Sequence, residues 1–146
     1  MRLTRTDIAS RIPHQGRMCL LDAVEQYDET GIVFQSHTHL LPDNPLRHAG
    51  VLGAATGVEY AAQAMALHCA LVDESAPTAS RGYLTSVREL ELHATTLDAK
   101  QLPLRITASR LACHAGTAMY QFTIHAGDSL LVQGRLAAVL DAAALA

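Results

Sequence analysis

The chain has no tryptophan, two phenylalanines and four tyrosines, and aromatic residues make up 4% of its 146 residues. So sparse a set leaves no series of stacking platforms for the bases of a nucleic acid. Positive charge is not in surplus either: eleven Lys and Arg stand against fourteen Asp and Glu, a net charge of −3. With a pI near 6.2, the chain has no electrostatic drive toward nucleic acid or an anionic membrane. Cysteine is scarce as well. Cys19, Cys69 and Cys113 are odd in number, far apart and each set in an apolar run. They read as buried, reduced thiols of a cytosolic protein rather than a disulfide frame. Residues 1–7 contain no apolar signal core, so the expected location is the cytoplasm. There is no Gly-x-Ser-x-Gly elbow, Walker loop or dinucleotide fingerprint. Serine hydrolase, nucleotide and nicotinamide chemistries find no support, and no cofactor is expected.

What the chain does have is apolar substance, with 49% hydrophobic and 17% charged residues. That is enough for one domain, 1–146, with a real core. Its organising stretch is residues 50–72. From Ala54 onward this stretch is rich in Ala, Leu and Met, lacks Pro and holds a single carboxylate, Glu59. Apolar residues fall on almost every face of the wheel, which predicts a helix that is surrounded rather than resting on a surface. At about nineteen residues, interrupted by Glu59, Gln63 and His68, it is too polar to span a membrane. Glu59 and Gln63 share one face of it. A carboxylate in an apolar helix is costly unless it is paired or used.

The flanking segments read as follows. Residues 6–12 form a short capped helix stopped by Pro13. Residues 18–27 are a first strand, 28–31 a turn, and 31–41 a second strand with Ile32, Phe34, Ser36, Thr38 and Leu40 on one side. Pro42 to Pro45 end that strand, and a loop leads into the helix. Residues 73–81 are a surface connection. Segments 82–94, 102–112, 118–126 and 130–140 have strand character, the last two divided by a Gly127-Asp128 hairpin turn. From Asp141 an alanine tail frays. The order predicts an α+β protein in the hotdog arrangement, a curled antiparallel sheet wrapped around one long central helix. Such a sheet keeps an edge for a second copy.

Two stretches carry a resemblance. Residues 12–22, Ile-Pro-His-Gln-Gly-Arg-Met-Cys-Leu-Leu-Asp, present a Pro-His followed by an apolar run and Asp. Residues 57–64, Gly-Val-Glu-Tyr-Ala-Ala-Gln-Ala, present Glu-x-x-x-Gln at the start of a helix. With Asn44-Pro45 and the trailing strands, the chain resembles the β-hydroxyacyl-acyl-carrier-protein dehydratases, and among them the ApeP-like branch of aryl polyene pathways. The resemblance implies dehydration of a 3-hydroxyacyl thioester carried on acyl carrier protein. In that family a His takes the C2 proton, a carboxylic acid on the central helix protonates the departing hydroxyl, and a backbone N–H near the helix start polarises the thioester carbonyl. The acid and base of one site come from different subunits, so a homodimer or a heterodimer with a related hotdog subunit is implied.

The residues fit that chemistry in part. Glu59 in its apolar helix is expected to have a raised pKa, which suits an acid that holds its proton near neutral pH. The alternative for Glu59 is a structural carboxylate at a subunit contact. Gly50 and Gly53 precede the helix, let a substrate approach the backbone closely, and offer N–H groups to an oxyanion. The family's base lies fourteen residues before the acid, where this chain has Pro45. The loop is shorter here and His48 is its only histidine. Two readings stand: His48 is the base, or it is an ordinary loop residue and a partner supplies the base. His14 is read as shaping the site entrance, and Gln63 as holding Glu59 or the turn. His37 and His39, two apart on the expected strand, face one side, but without a third ligand no metal site is assigned. His68, His93, His114 and His125 are read as surface or satisfied polar residues. Two further functions stay open: a hotdog thioesterase in which Glu59 activates water, and a subunit that completes an active partner.

Overall fold

Alternation of apolar and polar residues gives this chain its larger layer. The computed structural model describes residues 3–12, 16–72, 83–114 and 116–139. Strands β1 (Ala23–Tyr27), β2 (Gly31–Ser36), β3 (Tyr83–Leu92), β4 (Leu104–His114), β5 (Thr117–Ala126) and β6 (Ser129–Val139) form one antiparallel sheet. Their order across the sheet is β1-β2-β4-β5-β6-β3. One face of each central strand is buried: Ile32 and Phe34 on β2, Leu104 and Ile106 on β4, Tyr120, Phe122 and Ile124 on β5, Val132 and Leu136 on β6. This is the two-residue period of a half-buried strand.

The helix that the sheet covers is α2 (Gly57–Val72), entered through a 3₁₀ turn at Ala54–Thr56. It lies across β4, β2 and β5 and buries Tyr60, Ala61, Ala64, Met65 and Leu67 in the same cluster as the strand residues. Each fully buried large side chain there contributes roughly 1.5–3 kcal/mol relative to exposure. Val58, Ala62, Ala66 and Ala70 remain half-exposed; the buried residues of the helix are covered by the sheet and, at Gln63, by residues 18–20. At its first residue the helix comes close to the sheet. A Cβ on Gly57 would stand 2.8 Å from Ile124 Cδ1 and 3.3 Å from Val132 Cγ2, so a larger residue here would push those two side chains aside. The hotdog architecture expected of the sequence is present.

Several boundaries differ from the expectation. The first helix, α1, spans Arg5–Ala9 and is capped by Thr4 rather than starting at Thr6. Asp7 closes a capping box with Thr4, and the backbone N–H and hydroxyl of Thr4 hold the Asp7 carboxyl below the usual carboxylate range. The first strand begins at Ala23, because residues 18–22 are drawn elsewhere. Gln63 takes the backbone of Met18 and Leu20, and Arg5 bonds Asp22 at 3.0 Å. The second strand ends at Ser36. The hydroxyls of Ser36 and Thr38 both donate to the Leu20 carbonyl, at 2.5 and 2.9 Å. The backbone then winds into a 3₁₀ turn, Thr38–Leu40. His37 and His39 therefore do not share a strand face. His37 is exposed with its Nδ1 3.6 Å from Asp22, while His39 is buried. Among the described residues no three of His, Cys, Asp and Glu are gathered to hold a metal.

The cysteine expectation also needs correction. Cys19 and Cys69 are buried free thiols, but Cys113 is exposed. A register shift between Arg110 and Ala112 breaks the alternation of β4, and Leu111, Ala112 and Cys113 all end exposed. The hairpin turn at Gly127 is as expected, with φ of 59°. His14, the Pro13 stop, the 73–81 connection and the tail from Asp141 lie outside the described residues. Among the described residues no helix is long and apolar enough to cross a membrane.

Candidate active site

Glu59 stands in the first turn of α2 with its side chain half-buried. One turn further along the same face is Gln63, fully buried. Its Nε2 donates to Glu59 Oε1 at 3.4 Å and to the Met18 carbonyl at 2.6 Å, while its Oε1 accepts the Leu20 N–H at 2.9 Å. The four-residue spacing thus brings the amide and the carboxylate together. The amide's remaining capacity is spent on the chain's own backbone.

The segment that leads into the helix is a narrow hairpin. His48 and Val51 exchange backbone hydrogen bonds of 2.8 and 2.9 Å. The two residues between them, Ala49 and Gly50, have φ of 51° and 77°, the signature of a type I′ turn. His48 is exposed at the entrance to that turn. After Val51 the backbone joins a short ladder, with Leu97 N–H donating to the Leu52 carbonyl and Ala54 N–H to the Thr95 carbonyl, at 3.1 and 3.0 Å. Among the described residues no acceptor pairs with the N–H of Gly50 or Gly53. A Cβ added at either glycine would meet nothing within 4 Å. Two free N–H donors beside open space, an exposed imidazole and a half-buried carboxyl are the parts that enolate-forming chemistry requires. The carbonyl of Gly53 is itself engaged, by the Thr56 N–H and hydroxyl at 3.0 and 2.6 Å.

Two polar networks escaped the sequence reading. The first pins the loop before the helix to the helix itself. The buried Tyr60 hydroxyl lies 2.8 Å from Thr38 Oγ1 and accepts from Asn44 Nδ2 at 3.0 Å. Asn44 Nδ2 also donates to the Thr38 carbonyl, 2.9 Å away. Burial pushes the Tyr60 phenol above its ordinary value. Below the loop, buried His39 places Nε2 2.6 Å from the Leu102 carbonyl. A carbonyl only accepts, so Nε2 carries the proton, and burial pushes the imidazole pKa down. The one sequence signal for this network is Asn44 beside Pro45. Nothing local marks Tyr60 or Thr38 as partners.

The second network lies nine residues further along α2, roughly 13 Å from Glu59 at 1.5 Å per residue. His68 Nε2 donates to the Asp28 carbonyl at 2.6 Å, and its Nδ1 accepts from the Tyr120 hydroxyl at 2.5 Å. Arg110 Nε donates to the same hydroxyl at 3.0 Å, and Cys69 Sγ is 3.3 Å from it. His68 is thus a satisfied buried histidine. Desolvation lowers its pKa, despite the opposing Asp28 carbonyl.

The comparisons with known proteins agree with this architecture. The family model for ApeP-like proteins, described as ApeP dehydratase, matches residues 6–145. No curated protein matches the chain by sequence. Among solved structures, the chain is similar to the dehydratase heterocomplex ApeI:P from Xenorhabdus doucetiae, with a TM-score of 0.81 and 19% identity over 94% of this chain and 93% of that one. It is less similar to a thioesterase from Staphylococcus aureus, with a TM-score of 0.58 and 12% identity over 81% and 91% of the two chains. The fluoroacetyl-CoA thioesterase FlK gives a TM-score of 0.53 and 17% identity over 75% and 86%. At these identities the structural likeness establishes the hotdog fold, and the family match over nearly the whole length establishes the lineage. The chain belongs to the ApeP-like family of dehydratases.

Proposed function

We propose that the chain, as a single hotdog domain, removes water from 3-hydroxyacyl thioesters carried on acyl carrier protein, giving trans-2-enoyl thioesters of the fatty-acid or aryl-polyene type. His48 takes the C2 proton. The electron pair moves into an enolate whose oxygen accepts hydrogen bonds from the N–H groups of Gly50 and Gly53. The C3–O bond then breaks and Glu59 gives its proton to the departing hydroxyl, which leaves as water. One C=C bond and one water are formed, and proton exchange with solvent resets the two side chains. Gln63 holds the Glu59 carboxyl toward the substrate, and His14 borders the entrance.

The observation that carries this reading is the half-buried carboxyl of Glu59, held by Gln63 in the first turn of the central helix of a dehydratase-family chain. The reaction belongs to a cytoplasmic two-subunit assembly, homodimer or heterodimer with a related hotdog subunit. Supporting this, the outer strand β3 exposes Leu84, Val87, Leu90 and Leu92, and an apolar sheet edge is a template for pairing. The similar dehydratase ApeI:P is itself a heterocomplex. A second reading draws on the same edge and on the exposure of His48: the chain supplies the acid, and the partner supplies the base.

The test is intact-mass detection of water loss from a 3-hydroxyacyl carrier protein, with the chain alone and mixed with a related hotdog subunit. Turnover by the chain alone, abolished by both His48→Ala and Glu59→Gln, supports the self-sufficient site. Turnover only on mixing, lost in Glu59→Gln and kept in His48→Ala, selects the half-site reading. Release of a free thiol without an enoyl product makes the chain a thioesterase and overturns both.

A further inference from the structure

Everything the proposed reaction draws from the loop lies between residues 48 and 53, and this stretch is held at both ends by one short segment, residues 95–98. At its C-terminal end the hold is the ladder of Leu52 and Ala54 with Leu97 and Thr95. At its N-terminal end the link to that segment is the side chain of Arg47, whose backbone N–H also donates to the Asn44 carbonyl at 3.0 Å. Its Nη1 donates to Asp98 Oδ2 at 2.8 Å and to the Gly50 carbonyl at 3.2 Å, and its Nη2 to the carbonyls of His39 and Leu41 at 2.7 and 3.3 Å. The guanidinium therefore joins two separate stretches of backbone, at residues 39–41 and at Gly50, to the carboxylate of Asp98. The Arg47 and Asp98 side chains are 14% and 22% exposed, so the pair is largely shielded from solvent and from salt. The Arg47 hydrogen bond also holds the Asp98 carboxyl below the usual carboxylate range.

The turn needs this hold. Ala49, a residue with a Cβ, has φ of 51°, a left-handed conformation that L residues occupy at a cost. The hairpin's own bonds are the two between His48 and Val51. His48 is exposed and the two glycines stand in open space. Where this turn sits against the start of the helix is therefore set by where the two anchors place the backbone. Arg47 is the residue directly before His48, and it also bonds the carbonyl of Gly50.

We propose that Arg47, clamped by Asp98, is a positioning residue for the dehydration: it fixes the His48–Val51 turn so that the base and the Gly50 and Gly53 N–H groups meet the substrate together. This rests on the function proposed above, and it assigns a role to a residue outside the reacting set. A planar fork is required, because four acceptors in three directions are served from two nitrogens. Lysine, with a compact ammonium, serves them only in part.

The experiment compares the full-length wild type, Arg47→Gln, Arg47→Lys, Asp98→Asn and His48→Ala in the carrier-protein dehydration assay, in whichever assembly the wild type turns over. Amide hydrogen exchange of Val51 is measured on the same samples. The expected result is a fall in kcat of ten-fold or more in Arg47→Gln with KM changed less than three-fold. Partial recovery is expected in Arg47→Lys, and Val51 exchange should be at least ten-fold faster while Phe122 in β5 keeps its protection. Combining Arg47→Gln with His48→Ala adds little to the loss from His48→Ala alone, since both act through one turn. Faster Val51 exchange with unchanged kcat makes the clamp merely structural and overturns the proposal, as does a loss in kcat that is fully additive with His48→Ala. A wild-type assembly without turnover defeats the proposed function itself and the clamp's role with it, whereas a fully active His48→Ala selects the half-site reading and overturns the clamp's role in placing the base. An active wild type with an unaffected Arg47→Gln defeats only the clamp.

Discussion

The side-chain amide of Gln63 replaces a strand neighbour for Leu20: its Oε1 accepts the Leu20 N–H at 2.9 Å, in a position with no solvent access. Its Nε2 meanwhile holds the Met18 carbonyl and reaches Glu59. One buried residue thus joins the N-terminal segment, the central helix and the candidate acid. Replacing Gln63 by Leu strands the buried Leu20 N–H, at a cost of about 1–3 kcal/mol when unpaired, and frees the half-buried Met18 carbonyl. Urea unfolding should show a lower midpoint with an unchanged slope. Activity should fall as well, because Glu59 loses a partner. A stability equal to wild type would contradict the tether.

Glu59→Gln keeps the shape of the side chain and its reach to Gln63 but has no proton to give to a leaving hydroxyl. Dehydration should drop by about 10²–10⁴-fold, the usual worth of a positioned acid. The melting temperature should stay near that of the wild type. Comparable losses of activity and of stability would instead mark Glu59 as a structural residue.

Tyr60 follows Glu59 directly, and its hydroxyl is the meeting point of Thr38 and Asn44. Tyr60→Phe removes that hydroxyl and leaves both partners buried with reduced pairing. The expected loss is about 1–3 kcal/mol of stability, measured by denaturant titration. Thr38→Val in the same background should cost less than Thr38→Val alone, since the shared bond is already gone.

His39 and His68 are both buried with pKa values pushed below the ordinary 6.5 by desolvation. In the unfolded chain they take up protons at higher pH than in the folded protein. Between the two values the unfolded state binds more protons, so stability rises with pH. Their contribution is complete above about pH 6.5 and is lost as the pH falls through that value toward the folded pKa. Thermal melts from pH 8 to pH 5 should show this acid-side decline. His68→Gln should lower stability at pH 8 and flatten the decline, whereas an unaltered pH profile would remove His68 from the account.

Much of the fold was legible locally. Alternating apolar positions such as Leu104, Ile106 and Ala108 marked the strands, because a strand shows its two faces in a two-residue period. The largely apolar wheel from Ala54 to Val72 marked the helix that the sheet must cover. The pairing of Glu59 with Gln63 followed from helical spacing alone. The limits of these elements were another matter. The second strand was expected to run on to Leu41, yet it stops at Ser36, because the hydroxyls of Ser36 and Thr38 find the carbonyl of Leu20, a residue far back in the chain. Cys113 was expected to be buried, and a register shift in β4 leaves it exposed.

By itself, then, the sequence determined which faces are apolar, the order of strands about one central helix, and the carboxylate and amide on that helix. These are properties of short windows, set by periodicity and side-chain chemistry. What holds the loop before the helix depends instead on contacts between distant segments. The clamp of Arg47 on Asp98 joins residues 51 positions apart, and the Tyr60 hydroxyl meets a threonine 22 positions away. Such contacts form only when the sheet has closed over the helix and brought their backbones together, so no local pattern announces them.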